Sequence, residues 1–379
     1  MRRAVFACLL SSCTFQHGEL ATADSRGPDV PAGCASYSSL FDTCTVGASL
    51  APPPMVLAGG AWTYNTDTHT LTAPNGQPTS PAHVILDAAE GPLDVVFVAA
   101  LTLEADATLR VTGPNFDRPL GIAAAGDVDI RGILDVSNNG AGSRSDAACG
   151  AQVGNRGQNS TQGAGGSGGG ALHGAGGDGS AGNKDGTNTA FGTGGSARTT
   201  RPRSPIGGCD GGDGGDGSGM GGQGGDGGGA IYIASATAIR VATSGVIDAG
   251  GGGGQPGGQN ADAGGGGGSG GMILLESAMI AIQGIVVANG GGGGEGNNGM
   301  PGQPGQRGAA RAAGGAGGDG TGGDGAAGGA GTGLDGLATS DLQNGGGGGG
   351  GGGVGYIAIA CPAPMLAGAV ISPPLESWP

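Results

Sequence analysis

Three glycine tracts, at residues 140–229, 250–271 and 290–353, constrain this chain more than any other feature. Glycine fills 97 of the 379 positions. It costs about 1 kcal/mol relative to Ala at each helix position, which argues against a helical bundle. The aromatic residues are six Phe, four Tyr and two Trp. A conventional enzyme core packs large side chains at close to crystal density, and this chain has few of them.

The formal charge is −15, from 15 basic and 30 acidic residues. Neutralising phosphates requires clustered Lys and Arg, so this balance argues against a nucleic-acid partner. The densest basic run, Arg198, Arg201 and Arg203, lies in glycine-rich sequence and reads as a solvated loop.

The N-terminus carries Arg2 and Arg3, then an apolar stretch from Ala4 to Leu10, as a signal peptide over residues 1–12 would. Leu10-Ser11-Ser12-Cys13 resembles the lipobox of bacterial lipoproteins, which implies lipidation of Cys13. Thr14 stands where lipoproteins kept in the inner membrane usually have Asp, so the resemblance implies the outer membrane. No other apolar run approaches 18 residues. General export would make disulfides possible. Cys34 and Cys44 could staple a short segment, and Cys149 and Cys209 could close the first glycine tract, leaving Cys361 over. Sequence alone leaves the connectivity open.

Residues 13–54 read as anchor, tether and stapled segment, ending in the stiff Ala51-Pro-Pro-Pro54. Gly60-Ala-Trp-Thr-Tyr and Thr70-Leu-Thr-Ala are short strands joined by a turn at Asn65-Thr-Asp67. From Leu93 onward, strands of three to six residues follow one another almost without connections. A degenerate repeat runs through them. Ile130-Arg-Gly-Ile-Leu-Asp-Val-Ser aligns with Thr243-Ser-Gly-Val-Ile-Asp-Ala-Gly and with Ile282-Gln-Gly-Ile-Val-Val-Ala-Asn. Gly132, Gly245 and Gly284 mark the corners. Another strand precedes each copy, at Leu120, Ala230 and Met272, and a fourth begins at Val354. The pattern predicts an all-β chain: a right-handed parallel β-helix, or solenoid, over residues 55–366 with a tail at 367–379. Ile231, Ile233, Ile273, Val286 and Ile357 are expected to face its interior.

The glycine tracts leave after equivalent strands, which predicts that all three emerge on one face. Flexible loops are the first reading of them. The second comes from texture. Gly211-Gly-Asp-Gly-Gly-Asp has glycine at two of three positions, and a polyproline-II-like helix has three residues per turn. Such polyglycine-II-like helices could pack side by side.

Chemical motifs are sparse. G-x-S-x-G occurs around Ser167 and Ser269 without the strand-to-helix elbow a nucleophile needs. His17, His69, His83 and His173 are dispersed and lack zinc-site spacing. Asp178, Asp213, Asp216, Asp226, Asp319 and Asp324 could hold Ca2+ weakly, but solubility and turn-setting account for them more simply. Asp127, Asp129 and Asp135, with Arg131 nearby, superficially resemble the alternating acids of solenoid polysaccharide lyases, although an outward-facing charge on a half-exposed strand is the ordinary explanation. No catalytic, cofactor-binding or metal residue is assigned.

ATLRVTGPNFDRPLGIAAAGDVDIRGILDVSNNGAG and GGGAIYIASATAIRVATSGVIDAGGGGG resemble the glycine-rich, pectin-lyase-like β-helix lipoproteins of the Gram-negative envelope, loosely related in texture to the PGRS surface proteins. The resemblance spans about residues 93–360 and implies the parallel β-helix and an envelope location. It brings no catalytic set. The expectation is a non-enzymatic, structural or adhesive surface lipoprotein. Its partners would be the membrane, through the lipid, and a surface glycan or protein. The alternative is a carbohydrate-binding or carbohydrate-cleaving β-helix protein.

Overall fold

The computed structural model describes residues 35–47, 52–113, 118–184, 187–259, 261–318, 321–340 and 344–379. The signal segment, Cys13, His17, Cys34 and Asp319 lie outside these residues. Among the described residues strands dominate, and the only helical pieces are short ones at Thr43–Gly47, Asp146–Cys149 and Gly150–Gln152. Among the described residues no helix is long and apolar enough to cross a membrane.

Each sequence repeat supplies one strand to each of three sheets. Leu120–Ala124, Ala230–Ser235, Met272–Ser277 and Tyr356–Ala360 pair in parallel in one sheet. Val128–Ile130, Ile239–Val241 and Ile280–Ile282 do so in a second. Ile133–Asp135, Val246–Asp248 and Ile285–Val287 do so in a third. The register matches the sequence alignment, with Ile133 opposite Val246 and Val246 opposite Ile285. The fourth copy is shifted, because Met272 stands opposite Tyr356 and not Val354. Gly91–Val98, Leu101–Leu103 and Ala107–Thr112 add an earlier member to each sheet. Val370–Ser372 and Glu376–Ser377 add later ones to two of them.

At the N-terminal end Met55–Leu57 and Gly60–Asn65 still pair in parallel with Leu101–Leu103 and Ala107–Thr112, and antiparallel pairing is added beyond them. Gly60–Asn65 pairs with Thr70–Thr72, which pairs with Pro78–Thr79. His83–Ala88, a strand that the sequence pattern did not mark, folds back on Gly91–Val98.

Alternation sorts the side chains. Ile231, Ile233, Ile273, Val286 and Ile357 are all fully buried in the main apolar core. Their neighbours Tyr232, Leu274 and Tyr356 face the other side of the sheet and form a second core with Leu93, Val95 and Phe97. Tyr37, Leu40, Phe41 and Val46 pack on that second core, so the segment after Cys34 lies over the sheet. The corner glycines stack. Ile285 donates its amide to the Gly245 carbonyl at 2.9 Å, and Val246 to the Gly132 carbonyl at 2.9 Å. A Cβ at Gly284 would collide with the carbonyl oxygens of Gly245 and Ala242.

The glycine tracts are not loose loops. Within residues 261–271, successive amides point in different directions. Gly264 donates to Gly347, Gly265 to Gln255 and Gly266 to Gly212, at 2.9, 2.9 and 3.0 Å. The pattern repeats every third residue, as Gly267 to Gly350, Gly268 to Gly252 and Ser269 to Cys209. The carbonyls of Gly264, Gly265 and Gly266 accept from Ser167, Gly294 and Gly225. Residues 261–271 are thus enclosed by segments from all three tracts. Residues 345–355 are bonded in the same way to residues 164–172, 174–183, 261–271 and 288–297.

This bonding replaces flexibility for a physical reason. Buried backbone N–H and C=O groups must be paired, and here every third group finds the same partner segment. Glycine is required by close approach. A Cβ on Gly264, Gly265 or Gly266 would run into the carbonyl of Gly294, Gln223 or Gly168 respectively. Where a segment lies at the edge, one position in three is free to carry a side chain, as with Met220, Gln223 and Asp226.

Candidate functional site

The strand acids converge with arginines on the sheet that carries Ile133–Asp135. Arg110 Nη1 lies 2.8 Å from Asp135 Oδ1, and Arg307 Nε lies 2.7 Å from Asp248 Oδ2. Arg307 also reaches Asp135 at 3.3 Å, which joins two repeats and a glycine tract. Asp248 is 3% exposed. Burial raises its pKa, opposed by Arg307 and by the Gly250 amide. The other acids are paired separately. Asp129 binds Arg131, which also touches Glu104, and Asp127 is held by Thr237 and Arg240. Asp127, Asp129 and Asp135 therefore do not share one site, and Arg131 is engaged beside Asp129.

The tract aspartates have a backbone role. Asp210, Asp213 and Asp216 are spaced by three, and their Oδ1 atoms accept the amides of Gly227, Gly224 and Gly221 at 2.6, 3.0 and 3.0 Å. Asp178 accepts the Gly194 amide in the same manner. At the edges of the array a carboxylate thus takes the amide that no neighbouring carbonyl reaches. Among the described residues no group of three or more His, Cys, Asp or Glu is placed to hold a metal ion.

Asp146, Asp210, Asp213 and Asp226 border a cavity of about 480 Å³, with Asn155, Arg156 and Gln223. Burial raises Asp210 to about 6, with Asp226, Asp146 and Asp213 adding to the rise and the Gly227 amide opposing it. Burial also raises Asp226. Gln223 lines a second cavity of about 400 Å³ with Asn138, Gln255, Pro301 and Pro304. The two openings form a polar, acidic surface along residues 223–226.

Cys149 and Cys209 form a disulfide. Cys44 is disulfide-bonded, and Cys361 is the free cysteine among the described residues. His69 and His83 are not dispersed in space, since their rings stack 4.1 Å apart. His69 Nδ1 lies 3.0 Å from Asp94 Oδ2, which also accepts the Tyr64 hydroxyl at 2.8 Å. His173 stacks on Tyr356.

Sequence reading missed a buried clamp. Glu276, 2% exposed, accepts the Ser39 amide at 2.9 and 3.0 Å and the Tyr232 hydroxyl, and Tyr232 also bonds Ser38. Phe41 packs edge-on against Phe97 and Tyr232. The clamp fastens residues 35–47 to the sheet. No family model matches the chain, and no curated protein or solved structure matches it.

Proposed function

We propose that this chain is a non-catalytic lipoprotein of the outer membrane or cell surface, structural or adhesive in role. In this reading the three sheets are the faces of a right-handed parallel β-solenoid, and the glycine segments are polyglycine-II-like helices bundled on one side of it. The observation that carries the reading is the lateral bonding of residues 261–271 to segments of all three tracts. Three residues per turn without internal hydrogen bonds leaves each backbone group free to bond sideways, and a period of three is what the bonding has. Such a bundle is stiff and poor in side chains, suited to holding its turns away from a surface. The separate ion pairs at Asp127 and Asp129 favour a scaffold, because acids held by arginines are not poised for proton transfer. Leu10-Ser11-Ser12-Cys13 supports the lipid anchor.

The test is expression in a Gram-negative host fed a clickable fatty acid. The parent should be labelled, sediment with the outer membrane and be cleaved by protease added to intact cells. Cys13→Ala should lose the label. An unlabelled parent in the soluble fraction would contradict the anchor.

One observation favours the second reading, a carbohydrate-binding or carbohydrate-cleaving protein. Asp135, Asp248, Arg110 and Arg307 converge within one cluster. Release of reducing ends from a polysaccharide, abolished in Asp248→Asn, would decide for that reading.

A further inference from the structure

Residues 220–228 lie at the edge of the array, and their amides fall into three sets. Those of Gly222, Gly225 and Gly228 go inward to the carbonyls of Ala263, Gly266 and Ser269. Those of Gly221, Gly224 and Gly227 go sideways to the carboxylates of Asp216, Asp213 and Asp210. The third set, on Met220, Gln223 and Asp226, has no acceptor among the described residues. Exposure follows the same period, with Met220 and Gln223 exposed and Gly222 and Gly225 buried.

The neighbouring segment shows the converse. Residues 251–258 run antiparallel to 220–228, since Gly252, Gln255 and Gly258 donate to the carbonyls of Asp226, Gln223 and Met220. The carbonyls of Gly252 and Gln255 accept from Gly268 and Gly265, and those of Gly251 and Gly254 accept from Gly305 and Gly302. The carbonyls of Gly253 and Pro256 accept from none of the described residues. A row of free donors thus stands beside a row of free acceptors, both at steps of three. Cavities of about 410 Å³, beside Met220 and Pro256, and about 400 Å³, beside Asp226 and Gly253, share Gln223 and Gln255 and make one groove along the two rows.

On the inner side the same two segments already hold a third one between them. Residues 261–271 accept from Gly222 and Gly225, and they donate to Gln255 and Gly252 through Gly265 and Gly268. The groove repeats that arrangement on the outer side, where its donors and acceptors are open. We propose that it binds an extended glycine-rich peptide of another chain as a further segment of the array. The peptide would accept from Met220, Gln223 and Asp226 and donate to Gly253 and Pro256. This is the glycine-array counterpart of strand addition to a sheet edge.

The inner segment also indicates the composition of the peptide. A Cβ on Gly265 or Gly268 would collide with the carbonyl of Gln223 or Asp226. The peptide therefore needs glycine where it faces the walls and has one outward position in three for a side chain. Asp226 in the groove and a chain charge of −15 favour a basic residue there. In a second copy of this chain, residues 261–271 are already enclosed, so the fitting partner is a peptide not yet folded into an array. The proposal rests on reading the glycine segments as bundled helices of three residues per turn.

Fluorescence anisotropy of a labelled Gly-Gly-Arg repeat peptide, titrated with the full chain, tests it against an Ala-Ala-Arg repeat of equal length and charge. The glycine peptide should bind saturably, and the alanine peptide at least about tenfold more weakly. Gln223→Pro removes a donor that the array itself does not use, and Pro301 and Pro304 already stand along the same groove. It should melt like the parent and weaken binding by about tenfold, through one lost hydrogen bond and the blocked space. Gln223→Ala keeps the amide and should bind as the parent does. The comparison of the two peptides on the parent carries the test if Gln223→Pro fails to fold. Absence of saturable binding, equal binding of the two peptides, or parental affinity in a folded Gln223→Pro variant would overturn the proposal. Hydrogen–deuterium exchange of residues 261–271 reads the array separately, so failed binding beside a protected array overturns the docking alone.

Discussion

The amide of Gly264 donates to the carbonyl of Gly347 at 2.9 Å, joining the second glycine tract to the third. Gly267 with Gly350 and Gly270 with Gly353 repeat the bond at steps of three. These contacts leave no room for side chains. Gly266→Ala would drive a Cβ into the Gly168 carbonyl, and the resulting overpacking should cost about 3 kcal/mol or more. Gly308 has nothing within 4 Å of its added Cβ, so Gly308→Ala should change stability by less than about 0.5 kcal/mol. Urea unfolding midpoints of the two variants make the comparison. Equal midpoints would mean that the tract does not pack as described.

Ile273 lies between Ile231 and Ile357 in the parallel sheet and is fully buried. An aspartate there would be an unpaired charge in an apolar interior. Ile273→Asp should fail to fold, whereas Ile273→Val should cost only about 0.5–1.5 kcal/mol. Circular dichroism melts check both. A normally melting Ile273→Asp variant would show that this face is not a core.

Protonation of Asp210 should stabilise the glycine array around it. Asp210 is pushed up to about 6 by burial, with help from neighbouring carboxylates. A carboxyl whose folded pKa exceeds its unfolded value, about 3.9, holds its proton more tightly when folded. Its contribution to stability is therefore present below about pH 4 and is lost as pH rises to about 6. Asp210→Asn keeps an acceptor for the Gly227 amide and removes the charge. At pH 7.5 it should be more stable than the parent, by up to roughly 3 kcal/mol. The advantage should vanish near pH 4. A variant that is no more stable than the parent at pH 7.5 would count against the clustered charge.

The Cys149–Cys209 disulfide closes a loop with a sequence separation of 60. Chain entropy assigns such a closure about 4 kcal/mol. Replacing both cysteines by Ala should lower the unfolding free energy by roughly 2–5 kcal/mol. The intact array around Gly168 and Gly212 should still form, because its backbone bonds do not involve the sulfurs. Loss of all structure in the double variant would show that the tract depends on the cross-link.

The strands were legible in the sequence for a simple reason. Ile133, Val246 and Ile285 share a position after a corner glycine, and buried strands must repeat their apolar side chains. The fourth copy is displaced by two residues because Val354 also looks like strand. It belongs instead to the end of the glycine tract, where its amide bonds the Leu334 carbonyl. The array itself was only half legible, since backbone bonding needs no side-chain signature. Its trace is the spacing of three in Asp210, Asp213 and Asp216, which also suits a flexible acidic loop. The Glu276 clamp was illegible. Its partners Ser38 and Ser39 are far away in sequence, and a glutamate near the end of a strand reads as solvent-facing.

Hydrogen–deuterium exchange of residues 261–271 tests the central claim most directly. In the array every amide from Ala263 to Gly271 has a backbone partner. Those amides should therefore exchange only through large-scale opening, and their protection should match that of the strand Met272–Ser277. Complete deuteration of residues 261–271 within seconds, beside a protected Met272–Ser277, would contradict the account.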